Sequence, residues 1–205
     1  MFDGVNLNGP GKKVKMDTLT VHKGTFIEGH LFGKGTETVY EDKALTKILQ
    51  VTNGEFKNNL VHGQARIERR EQKIRNPNSI VTSPENMIAG LDYRTVISIY
   101  EGECQNGLRH GKGVFVFKYY DTIHKTIQNQ MNIMTQQKYV GEFAFNKPNG
   151  YGTMYYTNGN KYVGFFKEGV KQGLGMEVNE LMEAGKPKIN KGIFEGDLRI
   201  GPNWA

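Results

Sequence analysis

The sequence predicts an all-β protein, built as an elongated single-layer antiparallel sheet of successive β-hairpins. Three observations lead to this prediction. A fourteen-residue phrase recurs along the 205-residue chain, its first half alternates with the two-residue period of a strand, and its middle carries a pair of residues suited to a tight turn. A unit this short cannot bury a hydrophobic face alone, so the copies must stack into one array.

The phrase is clearest as YEGECQNGLRHGKG, which begins at Tyr100 and ends at Gly113. Position 0 is aromatic, position 2 is Gly, position 4 is aromatic, position 7 is Gly or Asn, and positions 11 and 13 are Gly. Close copies begin at Tyr139 and Tyr162, looser copies occur earlier, and half-copies are predicted at both ends. We interpret residues 1–205 as one array with repeat starts near 2, 22, 52, 100, 139, 162 and 194.

The first half of each copy predicts a strand with two unlike faces. In the copy at 100, Tyr100, Gly102 and Cys104 fall on one face and the intervening glutamates on the other. Asn106-Gly107 then tolerates positive φ at both positions and predicts a hairpin turn. Where position 7 is not Gly it is Asn59 or Asn146, and Asn is the non-glycine residue that best tolerates the left-handed region.

The second half of each copy predicts the returning strand. We expect Gly111, Gly113, Phe115 and Phe117 to lie on the face of Tyr100, so that rings settle over backbone without side chains. The opposite face is predicted to carry solvated charged groups. Two stretches lie outside the phrase and are predicted as insertions, at 69–95 and 119–137, with a short helical turn near 85–89 and a longer hairpin or a brief helix in the second.

Composition narrows the compartment and the partners. Cys104 is the only cysteine, which excludes an internal disulfide and favours a reducing compartment; at position 4 it substitutes for a ring. No secretory start and no apolar run of about 18 residues is visible, so we expect a cytoplasmic protein. The net charge of +6 permits an acidic partner, but the charge is spread, and no nucleic-acid partner is predicted.

No motif indicates catalysis. The GKG strings at Lys34 and Lys112 lack the spacing of a phosphate loop and fall inside predicted strands. The five histidines show no metal-ligand spacing, and His62 and His110 recur at one repeat position, as structural residues do. We therefore predict no enzyme, no catalytic residue, no metal, no cofactor and no small-molecule substrate.

The phrase at Tyr100, and the stretch from Tyr139 to Tyr162 with its 23-residue spacing, resemble MORN (membrane occupation and recognition nexus) repeats. The resemblance implies a MORN array that acts as a non-catalytic scaffold, a protein-interaction subunit of a larger assembly. Relatives implied by it include radial-spoke components of cilia and cytoskeletal organisers, which would place the protein in the axoneme or cytoskeleton. The partner itself, self-association and the role of the insertions stay open.

Two surfaces are candidates for partner binding, although the sequence alone does not separate rings buried by packing from rings that bind. The first is the aromatic face, for a protein partner: Tyr100, Phe115, Phe117, Tyr139, Phe143, Tyr156, Tyr162 and Phe166. The second is a basic patch for an acidic partner, which supports the alternative of a peripheral membrane adaptor that binds acidic phospholipid headgroups: Lys12, Lys13, Lys15, Arg66, Arg69 and Arg70.

Overall fold

The structure, a computed structural model, describes residues 7–74, 93–121, 133–179 and 188–200. It confirms the all-β prediction: within these residues, thirteen strands form one sheet in chain order, each antiparallel to the next. Twelve gaps of about 4.8 Å make the sheet about 58 Å long. The strands are β1 (Gly9–Lys15), β2 (Thr20–Ile27), β3 (His30–Tyr40), β4 (Ile48–Lys57), β5 (Leu60–Ile74), β6 (Tyr93–Gln105), β7 (Leu108–Asp121), β8 (Ile133–Ala144), β9 (Lys147–Tyr155), β10 (Lys161–Lys167), β11 (Val170–Asn179), β12 (Lys188–Glu195) and β13 (Leu198–Ile200).

The predicted turns at positions 6 and 7 are confirmed. Asn106 and Gly107 have φ of 51° and 84°, and Phe145 and Asn146 have φ of 50° and 69°. Two consecutive left-handed residues match the right-handed twist of the flanking strands, which is why tight hairpins use such pairs. The turn chemistry in the sequence therefore sets the register of each hairpin.

Pairs of glycines face each other across the strands and leave room for a ring. Gly102 pairs with Gly113 in the hairpin of β6 and β7, and the same pairing recurs between Gly164 and Gly175. A Cβ on Gly113 would lie 2.5 Å from the Tyr100 ring. The tyrosines of positions 0 thus lie directly over side-chain-free backbone, on what we call the inner face of the sheet.

Gly111 corrects one expectation. A Cβ there would meet the carboxylate of Glu103, which belongs to the opposite, outer face, and not a ring. The register shifts at this point, between Gly102 and Cys104, and Gly111 has a φ of 60°. A β-bulge therefore turns position 11 away from the rings.

The core is a continuous ladder of rings along the inner face. Tyr139 and Tyr162 each contact the position-4 ring of their own hairpin and that of the next hairpin, edge to face. Tyr100, whose own position 4 is Cys104, contacts the ring of the next hairpin. Tyr139, for example, lies 5.0 Å from Phe143 and 5.1 Å from Phe166 between ring centroids. The full ladder runs Tyr100, Phe143, Tyr139, Phe166, Tyr162 and Phe194. It stabilises a single layer without a second sheet.

Consecutive hairpins are joined at their tips as well. The position-7 backbone N–H donates to the carbonyl of position 9 in the preceding hairpin, as Asn146 does to Arg109 at 3.1 Å. Where position 7 is Asn, its side chain also accepts a bond: Arg109 N–H donates to Asn146 Oδ1 at 2.8 Å. The asparagines therefore clamp neighbouring hairpins, in addition to tolerating the turn.

The strand register assigns both terminal half-copies to repeat positions other than the predicted ones. Gly192 pairs with Gly175, so it stands at position 2 and the last repeat starts at 190, four residues before the predicted 194. Gly11 pairs with Gly24 and therefore stands at position 13 of its repeat. Phe194 is thus a position-4 ring, which is why it packs against Tyr162.

The two predicted insertions prove to be partly strand. β5 and β6 continue their pairing to Ile74 and Tyr93, and β7 and β8 continue theirs to Tyr120 and Ile133. Both long hairpins thus extend beyond the repeat phrase. The rest of 69–95 and 119–137, with the predicted helical turn at 85–89, lies outside the described residues.

Candidate functional site

The predicted aromatic surface is mostly interior. Five of its eight rings are at most 5% exposed: Tyr100, Tyr139, Phe143, Tyr162 and Phe166. They contact one another in the ladder, so a partner could not reach them without displacing core residues. The other three, Phe115, Phe117 and Tyr156, are half-buried. The burial of these rings places the aromatic face in the core and not in an open binding groove.

Cations cover the inner face where rings approach solvent. The guanidinium carbon of Arg109 lies 4.2 Å from the centroid of Phe115, and Arg109 Nη2 donates to Asn146 O at 2.7 Å. Lys171 Nζ lies 5.0 Å from the Tyr162 centroid and donates to Glu177 Oε1 at 2.6 Å. Burial alone would lower the pKa of Lys171, but the hydrogen bond with Glu177 and the nearby charges outweigh it, so that this pKa is raised. Both position-9 cations are thus engaged in packing.

Burial also sets the acidity of the core. It raises the pKa of Tyr139 and of Tyr162 to about 12, and that of Cys104 to about 11. The tyrosine hydroxyls donate to backbone carbonyls, Tyr139 to Glu142 O at 3.0 Å and Tyr162 to Phe165 O at 3.1 Å. These groups stay protonated at neutral pH, as structural residues.

The predicted basic patch is not assembled as one surface. Lys13 Nζ donates to Gly29 O at 2.8 Å and follows the inner face, whereas Lys12 follows the outer face. Arg66 pairs with Glu101 and Glu68, and Arg70 with Glu68 at 2.8 Å. Arg69 pairs with Glu71. Lys15 is three residues from Lys12 on β1, so the two side chains lie on opposite faces of the sheet. Neighbouring carboxylates therefore offset the arginine charges that an acidic partner would need.

Three other kinds of feature matter for function in the part of the chain that the structure describes: a metal site, a membrane-spanning helix and a phosphate loop. No group of three metal-ligating side chains lies together there. In the same residues, no helix of the length and apolarity needed to cross a membrane is present. Lys34 and Lys112 lie within β3 and β7, as expected for residues that do not open a phosphate-binding helix.

The outer face differs between the hairpins. At position 3, Glu55, Glu103 and Glu142 lie over the glycines of the returning strands, and Glu103 Oε1 accepts a bond from Lys112 N–H at 3.2 Å. In the hairpin of β10 and β11 the residue at position 3 is Phe165. Its ring turns instead toward Tyr151 of the preceding hairpin, with 5.4 Å between centroids. The expectation that charged groups cover the outer face is therefore wrong for the last hairpins, where apolar side chains lie there.

Apolar side chains form a groove across the outer face of β9 to β12, which we call the outer groove. Its volume is about 540 Å³. The backbone of Gly164, Gly175 and Gly192 forms its floor. Tyr151, Phe165 and Leu174 form one wall, and Val163, Met176 and Lys191 form the other. Because neighbouring strands align these residues, the groove runs across the strands.

The walls of the outer groove are open to solvent. Leu174 is 63% exposed, Tyr151 51% and Phe165 47%. Ile193 extends the first wall onto β12, opposite Leu174, and is 41% exposed. Contiguous apolar side chains on a solvent-exposed surface commonly mark an interaction site. Comparing position 3 along the copies would have found this signal, because Glu gives way to Phe and Ile there.

Comparison with known families identifies the repeat. The family model described as MORN repeat matches residues 100–118, 139–161 and 162–178. A search of the curated proteins finds no matching relative. MORN repeats are in general modules that bind proteins or membrane lipids, and proteins built from them are typically non-catalytic scaffolds. The matched segments coincide with the hairpins that carry a tyrosine over a glycine pair. The chain therefore carries three MORN repeats, which contain the three tyrosines of the ring ladder.

Proposed function

We propose that the protein is a non-catalytic scaffold subunit of a larger ciliary or cytoskeletal assembly, and that it binds a protein partner through the outer groove. The observation that supports this proposal is the apolar outer face of the last hairpins. Phe165 does not cover its own hairpin's glycine, as the position-3 glutamates do, and its exposure costs solubility without contributing to the ladder. A partner that covers the groove would bury these side chains.

A scaffold also needs a rigid frame. The ring ladder and the tip hydrogen bonds hold each hairpin to the next, so the outer groove is preorganised and its walls keep their spacing. Preorganisation lowers the entropy cost of binding. The frame and the exposed groove together support an interaction role in an assembly.

The proposal is tested by purifying the tagged chain from cells of its source with its partners. The groove variant Phe165→Ser/Leu174→Ser is compared with the control variant Thr25→Ser/Lys34→Ser, which changes positions 3 and 12 in an N-terminal hairpin. We expect the wild type and the control to retain the same axonemal or cytoskeletal proteins, and the groove variant to lose them. If the groove variant keeps these partners, groove binding is wrong; if the partners belong to neither structure, the placement is wrong.

The alternative of a membrane adaptor is tested separately, by sedimentation with vesicles that contain or lack phosphatidylserine. The ion pairs of Arg66, Arg69 and Arg70 argue against strong binding to anionic vesicles. Salt-sensitive sedimentation that requires phosphatidylserine would establish the alternative.

A further inference from the structure

We propose that the outer groove takes an amphipathic segment of a partner protein that carries apolar anchors and a row of acidic side chains along one border. This inference rests on the proposed function, because it names the chemistry of the partner that the groove binds. It is argued from the shape of the groove, the charge beside it, and the exclusion of other occupants.

The shape of the groove indicates a segment that crosses the strands. Its two walls stand two residues apart along each strand, about 6.7 Å, and it crosses four strands, about 14 Å. A strand added to the edge of the sheet would lie parallel to β13 and leave the groove empty. A segment with large apolar side chains spaced along one side would fill it.

The charge beside the groove is one-sided. Lys191 lies in the second wall, and Lys161 and Lys138 stand on the same side of the groove on β10 and β8. Lys138 Nζ is 5.8 Å from the centroid of the Tyr155 ring, which also faces outward. On β8 to β12 the described outward residues on this side include no carboxylate; Glu101, farther along the same side on β6, pairs with Arg66. Glu142 lies on the other side, over Gly150.

This lysine border selects among occupants. A second copy of the chain would bring one cationic border against another cationic surface, since the net charge is +6, and like charges across an interface are costly. A bilayer surface is flat, whereas the groove is a depression whose floor is glycine backbone, which projecting side chains fill and headgroups do not. An acid-bordered protein segment complements both the apolar walls and the positive charge of this border.

The inference is tested with a phage library of random 16-residue peptides, selected on the full chain and depleted on Phe165→Ser/Leu174→Ser. We expect enriched peptides with at least two large apolar residues and more Asp and Glu than Lys and Arg. A synthetic copy of an enriched peptide should bind the groove variant at least tenfold more weakly, as expected for central apolar anchors.

Charge reversal supplies the decisive arm. Lys161→Glu/Lys191→Glu should weaken the acidic peptide about fivefold, and a peptide with Lys in place of its acidic residues should regain affinity for this variant. The control, Lys23→Glu/Lys34→Glu on the outer face of β2 and β3, should change nothing. Circular dichroism checks that every variant is folded.

Three results would overturn the inference: no groove-dependent peptide, enriched peptides without acidic bias, or groove-dependent binding to phosphatidylserine vesicles in place of peptides. The proposed function fails by a different result, because it depends on whether the groove variant loses its cellular partners. A chain that loses those partners but selects uncharged peptides would keep its function and refute only the acidic border.

Discussion

The two N-terminal hairpins, β2–β3 and β4–β5, and the later hairpins share one register but fill the space over the glycine pairs differently. In β6–β11 a tyrosine ring covers each pair. In β2–β3, a Cβ on Gly24 would instead meet Leu31 Cδ1 at 2.7 Å, and the residue at position 0 is His22, whose Nε2 lies 2.8 Å from Glu37 Oε2. In β4–β5, position 0 is Thr52, and Ala65 replaces a glycine.

This difference shows what the fold requires. Leu31 is fully buried, as is Tyr162, so the sheet needs a filled space over close-packed backbone and not a tyrosine as such. Tyrosine adds edge-to-face ring contacts and a hydrogen bond from its hydroxyl to the backbone carbonyl of position 3. The family model matches segments from residue 100 onward, in the hairpins that carry these tyrosines, while the sheet continues through the earlier hairpins without them.

Removing a ladder ring from the later hairpins should have the largest effect. Tyr139→Ala deletes ring contacts to Phe143 and Phe166 and should lower the free energy of unfolding by about 4 kcal/mol. Thr52→Ala, at the same position in an N-terminal hairpin, should cost about 1 kcal/mol. Urea unfolding of both variants measures the difference. Equal losses would mean that the ladder does not distinguish the two regions.

Adding a methyl group under a ring should have the next largest effect. A Cβ on Gly175 would lie 2.2 Å from Tyr162 Oη, so Gly175→Ala should cost about 3 kcal/mol. Gly192 pairs with Gly175 across the strands. A Cβ on Gly192 would contact only the flexible Arg199 side chain, at 3.0 Å, so Gly192→Ala should cost less than about 1 kcal/mol.

The N-terminal combination of Thr52 with Ala65 suggests how to relieve this clash. In a Tyr162→Thr background, Gly175→Ala should cost less than about 1 kcal/mol, since no ring then occupies the space. A double-mutant cycle by urea unfolding measures the coupling. If the methyl group costs the same in both backgrounds, the close approach of ring and backbone is not the cause.

Alkaline pH should weaken the later hairpins next. Burial raises the pKa of Tyr139 and Tyr162 from 10.0 to about 12, so between these values the folded state binds more protons than the unfolded state. Stability should therefore fall as pH rises from about 10 to 12, by about 1.4 kcal/mol per pH unit for each tyrosine. Urea unfolding between pH 8 and 11.5 measures it. The variant Tyr139→Phe/Tyr162→Phe should lose the part of the slope that these two hydroxyls contribute, while Tyr100 and Cys104, whose pKa values burial also raises, keep theirs. An unchanged slope would contradict the assignment.

The sequence predicted what depends on neighbours within one hairpin. The period-two pattern and the turn pairs gave the strands, and position 7 gave the register. It did not reveal that Tyr100 and Phe143 contact each other, because that contact depends on the register between hairpins. For the same reason it assigned a binding role to rings that the structure buries.

The candidate site was missed for a related reason. The period-two pattern separates the two faces of a strand but does not show which face binds a partner. The aromatic residues of the repeat pointed to the inner face. The outer groove required knowing that Phe165 and Tyr151 align across β9 and β10. The arginine patch likewise looked basic until pairing placed Glu101 beside Arg66.

The smallest expected effect concerns the joints between hairpins. Asn146→Gly keeps a residue that accepts the φ of 69°, but removes the oxygen that accepts the Arg109 N–H bond at 2.8 Å. We expect a loss of about 1 kcal/mol in the free energy of unfolding, the usual worth of one such bond. Urea unfolding of the variant measures this loss.

The next joint supplies the matched control. Gly169 donates to Pro148 O at 2.9 Å, and proline has no N–H that an added side chain could accept. Gly169→Asn should therefore gain nothing and change stability by less than about 0.5 kcal/mol. If Asn146→Gly were as neutral as this control, the asparagine would serve only the turn, and the two joints would be equivalent. A selective loss at Asn146 would instead show that the side chain at position 7 fastens one hairpin to the one before it.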